Sequence, residues 1–266
     1  MGSDRELVVA AAAAGAAVVR ARYGTEMGRV SKAAGDFATA ADLEAERVIV
    51  DMIRGARPGD GVVGEEGGRQ GGDRGNGREW LVDPLCGTLN YAARTMLVGV
   101  NVALRVSGRT TVAACADPFS SEIFWTDQTH AWVRRDDRDE PLTPSPASNL
   151  VDVNLDPPFP NDPAFRAVSL LADRRFVRQF RPRVVSSTLA VAWVAAGRRA
   201  AYVTDGHLRD SVHFAAGIAL CEAAGCVVTD IFGEPFHASS RGGLLAAADA
   251  ETHAALLTLI LTTHAE

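Results

Sequence analysis

Apolar residues run unbroken over "LVVAAAAAGAAVV", residues 7–19, directly after Asp4 and Glu6. The Ala-rich stretch predicts a helix over residues 4–23 that stops near Gly24. It is shorter than the ~20 residues a membrane span needs. No basic segment precedes it, so it reads as a buried helix and not as a signal peptide. In "TAADLEAERVIVDMIRGARPG" Thr39 can N-cap a second helix, which ends between Gly55 and Pro58. "GVVGEEGG" predicts a short strand ending in two carboxylates, and the Gly-dense "GGRQGGDRGNGR" (67–78) a mobile surface loop. "EWLVDP", "MLVGVNVALRVSG" and "TTVAACADPFSSEIFWTD" carry β-branched alternation and predict strands.

"THAWVRRDDRDEPLTPSPAS" then fills with charge and proline, and marks the expected boundary between a first domain, 1–145, and a second, 146–266. Residues 151–185 read as strand, helix, strand. "SSTLAVAWVAAG" and "SVHFAAGIALCEAAG" read as helices, the second closed by Gly225. "RAAYVTDG", "CVVTDIFGEPF" and "GGLLAAAD" read as strands, and 250–264 as a last helix. Helices and strands in this mixed order imply a layered α/β chain.

Composition changes this picture little. Apolar residues make up 47% and charged residues 23% of 266, as in ordinary globular proteins. The net charge of -6 argues against a partner bound through a nucleic-acid backbone. Lys32 is the only lysine, and the Arg-, Ala- and Gly-rich usage is of the kind GC-rich bacterial genomes encode. Cys86, Cys115, Cys221 and Cys226 form no CxxC pair, so a reduced, cytoplasmic thiol set is expected.

Candidate chemistry sits at the ends of predicted elements: Asp42 beside Thr39, Glu65 and Glu66 after "VVG", and Asp83 with Thr88 in "DPLCGT". An Asp at the carboxyl end of a strand faces the crevice where open α/β folds bind ligands. The Gly87–Thr88 turn can open a helix whose free N–H groups cradle a phosphate. Carboxylates meeting over such a turn would suit Mg²⁺ or Ca²⁺.

The chain resembles the inositol monophosphatase family of Mg²⁺-dependent phosphatases. "TAAD" (39–42), "GEE" (64–66), "WLVDPLCGTLNY" (80–91), "VHFAAG" (212–217) and "EAAGCVVTD" (222–230) match its motifs in order along nearly the whole chain. The resemblance implies an αβαβα sandwich with the site between two halves. The first half would be an α+β half with a large antiparallel sheet, the second an α/β half. It further implies a small phosphorylated metabolite as substrate and a homodimer, with neither nucleic acid nor membrane as partner. Carried over by position, Glu65, Asp83 and the Leu85 carbonyl match the ligands of a first metal. Asp42 and Thr88 match the pair that orients and deprotonates the attacking water. The N–H groups of Gly87 and Thr88 match the phosphate cradle. Arg94 and Asp210 are candidates for substrate contact. Asp210, three residues before His213, would share its face if the helix starts early. Asp205, His207 and Arg209 border the expected pocket.

Two positions depart from the pattern. Where the family's motifs carry the two Asp residues that share the second metal, this chain has Cys86 and His213. Thiol and imidazole are poor ligands for Mg²⁺. Four readings follow. A phosphatase could run on fewer Mg²⁺ ions, or Zn²⁺ could replace Mg²⁺ on Asp83, Cys86 and His213. With no metal, Cys86 and His213 could act as thiolate nucleophile or acid–base pair in non-hydrolytic, specialised biosynthetic chemistry. In the fourth the chain is a catalytically silent binding protein.

Overall fold

A computed structural model describes residues 2–25, 29–31, 37–72, 77–155, 167–206, 208, 211–235 and 242–263. In chain order the elements are α1 (Asp4–Arg22), β1 (Arg29–Ser31), β2 (Phe37–Thr39), α2 (Ala40–Ala56), β3 (Gly61–Gly64), β4 (Gly68–Gly71), β5 (Arg78–Cys86) and α3 (Thr88–Ala92). Then come β6 (Gly99–Val106), β7 (Arg109–Ala116), β8 (Ile123–Thr126), β9 (Ala131–Arg135), β10 (Arg138–Pro141) and β11 (Leu150–Asn154). The chain closes with α4 (Ala167–Ala172), α5 (Arg174–Gln179), β12 (Arg181–Val184), α6 (Leu189–Ala195), β13 (Ala201–Thr204), α7 (Ala215–Ala224), β14 (Val227–Thr229), β15 (Leu244–Ala247) and α8 (Ala250–Thr263).

The chain divides into two units. The first comprises Met1–Pro141, Ser187–Leu189 and Val212–Leu220, and the second the remainder. The break at Pro141 lies four residues before the expected 145, and two short later segments return to the first unit.

In the first unit an eight-stranded sheet runs β10-β9-β8-β7-β6-β5-β3-β4. Only the β3–β5 pairing in it is parallel. Helices α1 and α2 supply Val8, Ala12, Val19, Ile49 and Ile53 to its core, packed with Trp80, Val82, Val100 and Leu104. Both helices start on capping boxes, Ser3 with Glu6 and Thr39 with Asp42. An ionic cluster ties the start of α1 to the sheet. Asp4 takes Arg57 (2.8 Å) and Arg78 (3.0 Å), and Asp60 takes Arg78 (2.9 Å) and the Trp80 indole N–H (2.8 Å).

One expectation fails here. Part of the supposed Gly-rich loop is β4, an edge strand that pairs with β3 from Gly64↔Gly68 to Gly61↔Gly71. The charged stretch before the boundary is the β9–β10 hairpin, with Asp136 and Asp137 at φ 45° and 60° in its turn. Both φ values are positive, as a tight hairpin turn demands, and Asp tolerates them.

The second unit is built on a five-stranded mixed sheet, β12-β11-β13-β15-β14. Val151, Val153, Ala201, Val203 and Leu245 pack with Phe176, Phe180, Leu256 and Ile260. Two helices, α4 and α5, join β11 to β12 where one is expected. Among the described residues no helix is long and apolar enough to cross a membrane.

Candidate active site

Thr39 caps α2 and fixes Asp42 in its first turn. The Thr39 N–H donates to Asp42 Oδ2 (2.8 Å), as does the Thr39 hydroxyl. The other carboxylate oxygen, Oδ1, receives the Thr88 hydroxyl at 3.1 Å. That hydroxyl also lies 3.2 Å from the Leu85 carbonyl. Asp42 is fully buried. Burial pushes its pKa up, and the Thr39 and Thr88 hydrogen bonds offset only part of that push. The buried carboxylate thus completes the capping box and accepts the Thr88 hydroxyl.

Glu65 owes its place to a neighbour the sequence reading missed. The nearly buried Glu46 on α2 accepts the N–H groups of Glu66 (2.8 Å) and Gly67 (2.6 Å). A Cβ on Gly64 would lie 2.5 Å from the Glu46 carboxyl carbon, so a side chain before Glu65 would displace the Glu46 carboxylate from its two N–H groups. The Glu65 N–H then donates to the Val82 carbonyl (3.0 Å), which sets Glu65 alongside β5.

Asp83 and Cys86 are three apart, so a regular strand would point them to opposite faces. The β5–β6 register shifts between them, across Pro84, which has no N–H to give the ladder. Both side chains therefore reach one cluster. Gly87 follows at φ 102°, a left-handed turn that starts α3 and aims the backbone back toward Thr88.

His213 is not on a helix. It lies in the turn before α7, and the argument that Asp210 shares its helical face lapses with that; Asp210 itself, with His207 and Arg209, lies outside the described residues. Ala216 and Ala219 of α7 pack on Leu81, Ala103 and Ala113. Leu81 shares a strand face with Asp83, two residues on. This packing brings His213 Nδ1 to 3.0 Å from Asp83 Oδ2 and 3.9 Å from Glu65 Oε2. Asn101, opposite Asp83 in the register, donates its amide N–H groups to Asp83 Oδ2 (3.2 Å) and Thr188 Oγ1 (2.8 Å). The Thr188 N–H in turn donates to Cys86 Sγ (3.2 Å).

Asp83, Cys86 and His213 each offer a ligand atom, and the three atoms lie within 4.8 Å of one another. Burial alone would raise the Asp83 pKa. The facing imidazole outweighs it, with N–H groups of His213 and Asn101 at the carboxylate, and holds the carboxyl below its usual range. Burial and the Asp83 charge push the Cys86 thiol well up. Both causes disfavour a free thiolate at the start of α3, whereas the Thr188 N–H favours one.

The sequence model of the inositol monophosphatase family matches residues 3–264. This chain belongs to that family. It is 31% identical over 241 residues to an inositol-1-monophosphatase of Caulobacter vibrioides, across 88% of this chain and 90% of the relative. It is 34% identical over 209 residues to the Nus factor SuhB of Salmonella typhimurium, across 76% and 74%. The solved inositol monophosphatase from Anabaena matches with a TM-score of 0.78 and 26% identity, across 97% of this chain and 95% of that one. The Thermotoga maritima IMPase matches in fold with a TM-score of 0.82, 21% identity and 98% of each chain. The mixed α/β fold is that of the inositol monophosphatases. Members of the family are phosphatases and generally use Mg²⁺.

Set against the family's motifs, Asp42 and Thr88 form one hydrogen-bonded pair, and Glu65, Asp83, Cys86 and His213 form one cluster. Arg94 stands apart. It lies on an exposed turn at φ 60°, and its carbonyl takes the Tyr23 hydroxyl. Asp205 is no solvated loop residue; it is buried and accepts the N–H of Ala167 at the start of α4 (3.2 Å). Ser187 caps α6 through the Leu189 N–H (3.3 Å), and the neighbouring Thr188 is the residue that meets the cluster.

The donors suit two kinds of ion. Glu65, Asp83 and the Leu85 carbonyl are hard oxygen donors, and Asp83 Oδ1 is buried with no hydrogen-bond partner, as a carboxylate oxygen built for a cation would be. A second Mg²⁺ on Cys86 and His213 does not fit. A thiol, an imidazole and a carboxylate suit zinc or a similarly thiophilic ion.

Proposed function

We propose that the chain is a phosphomonoester hydrolase for a small phosphorylated metabolite in which a thiophilic divalent ion of the zinc class replaces the second Mg²⁺. The observation that carries this reading is the convergence of Asp83, Cys86 and His213 within 4.8 Å. The Thr188 N–H at Cys86 Sγ supports it, because such a donor stabilises a ligating thiolate. Bound metal supplies charge neutralisation at the phosphoryl group and a more acidic water.

The chain's own groups do the rest. Glu65, Asp83 and the Leu85 carbonyl would hold a first, hard ion. Asp42, ionised, takes a proton relayed through the Thr88 hydroxyl and so orients the attacking water. The N–H groups of Gly87 and Thr88 receive phosphate oxygens. The reaction breaks the P–O ester bond and forms a P–O bond to water, releasing an alcohol and inorganic phosphate.

Metal analysis of the purified protein, with phosphate release from a panel of sugar and nucleotide monophosphates in Mg²⁺, Zn²⁺ or chelator, tests the reading. Bound zinc lost in Cys86→Ala and His213→Ala, with phosphate release that follows zinc occupancy, is the expected result. No release with any ion, or full activity in Mg²⁺ alone with no zinc bound, would overturn it. The Nus factor name of the SuhB relatives favours a second, non-catalytic reading, in which the chain acts by binding a partner. A protein silent toward the whole panel in every metal would leave that reading standing.

A further inference from the structure

Helix α7 ends at Ala224, and Gly225 follows at φ 91°. The Gly225 N–H donates to the Glu222 carbonyl (3.1 Å), and the Cys226 N–H to the Cys221 carbonyl (2.9 Å). This pair of bonds defines a Schellman ending, and it puts Cys221 and Cys226 at the two positions whose side chains meet across the cap. Apolar residues usually make that contact. Here both positions are cysteines, and the neighbouring Cys226 with burial pushes the Cys221 thiol well up, so the more exposed Cys226 is the attacking group. Ordinary bond lengths on either side of the 2.9 Å hydrogen bond keep the two Cα atoms within roughly 6.8 Å. Disulfides form between Cα atoms about 4.4–6.8 Å apart.

The two thiols differ in access. Cys221 is fully buried, with its sulfur 3.3 Å from the Val191 carbonyl, whereas Cys226 is half-buried. We infer that Cys221 and Cys226 form an oxidisable dithiol, a thiol–disulfide exchange site for low-molecular-weight disulfides. Cys226 loses its proton and attacks one sulfur of the small disulfide. Its S–S bond breaks, a mixed disulfide forms, and the first thiolate leaves and takes up a proton. Cys221, deprotonated in turn, attacks the Cys226 sulfur and expels the second thiolate. Two electrons pass from the protein thiols to the small disulfide, which departs as two thiols. The closed bridge pins the C-terminal cap of α7, the helix whose preceding turn carries His213. The inference does not rest on the proposed phosphatase reading, because neither cysteine belongs to the candidate active site.

The test uses the full chain incubated with oxidised glutathione, then blocked, denatured and mapped by mass. The expected product has lost two hydrogens, links Cys221 to Cys226, and leaves two of the four cysteines open to maleimide. Cys221→Ser should instead hold a stable glutathione adduct on Cys226. Three results would overturn the inference: four thiols still reactive, a glutathione adduct on Cys226 of the natural chain that never closes, or a bridge that includes Cys86. If the Ser variant fails to fold, mapping of the natural chain decides alone.

Discussion

Asp42 carries two duties that pull its pKa apart. As the reciprocal partner of the Thr39 cap it is stabilised in its charged form, yet burial raises its pKa overall. A carboxylate that must be ionised to accept a proton through Thr88 loses function as pH falls through that raised value. The acid limb of kcat/KM should therefore lie above the ordinary Asp range near ~3.9. Asp42→Asn should cost roughly 10²- to 10⁴-fold in kcat/KM and abolish that limb. A pH–rate profile of both proteins checks it, and an unmoved limb in the variant would assign the titration to another group. Gly87 gives a second residue-level expectation. At φ 102° any side chain is strained, by about 1–2 kcal/mol. On the proposed reading Gly87→Ala should lower the denaturation midpoint and raise KM for phosphate esters together, since the same turn would present the N–H groups to the phosphate.

Between elements, the turn after β3 is held from α2. Glu46 reaches over Gly64 to take two backbone N–H groups, so carboxylate and glycine are one unit. Gly64→Ala should cost about 1–3 kcal/mol from overpacking, read as a shifted urea midpoint. Glu46→Ala removes the crowding and leaves the Glu66 and Gly67 N–H groups without that acceptor, so metal affinity should fall through the displaced Glu65. The double variant should cost less than the sum of the two, because both act on one contact; strict additivity would mean that the contact carries no energy.

Coupling of this kind also marks how far sequence reading reaches. The Thr39 cap was legible because a short local motif specifies it, whereas the Asp42–Thr88 pair, 46 residues apart, was legible only through resemblance. The Cys86–His213 juxtaposition was legible only through resemblance, since His213 and Asp83 are 130 residues apart. Asn101 and Thr188 escaped notice, although an Asn amid the apolar residues of "VGVNVALRV" was a signal that something polar faces it. β4 and the β9–β10 hairpin escaped because glycine and charge are poor strand formers, and pairing with a neighbour overrides propensity there.

At the scale of the whole chain, a buried carboxylate outside the motifs contributes to stability against pH. In the second unit Asp152 is fully buried; Oδ2 takes the Arg199 Nε–H at 2.7 Å, while Oδ1 has no partner. Arg199 stacks 4.6 Å from the centre of Trp193 and so is fixed in place. Burial outweighs the guanidinium and lifts the Asp152 pKa to about 6. The sign follows from proton counting. Between the unfolded value near ~3.9 and about 6, the folded chain binds more protons than the unfolded one, so this group's contribution to stability falls as pH rises. The full swing is ~3 kcal/mol. Asp152→Asn keeps the shape and removes the titration. The natural chain should thus stand highest relative to the variant at pH 4 and lose ground up to about pH 6, with most of the loss complete by pH 7. Urea midpoints at both pH values measure it. Should the natural chain gain on the variant as pH rises, the Arg199 ion pair, and not desolvation, governs Asp152.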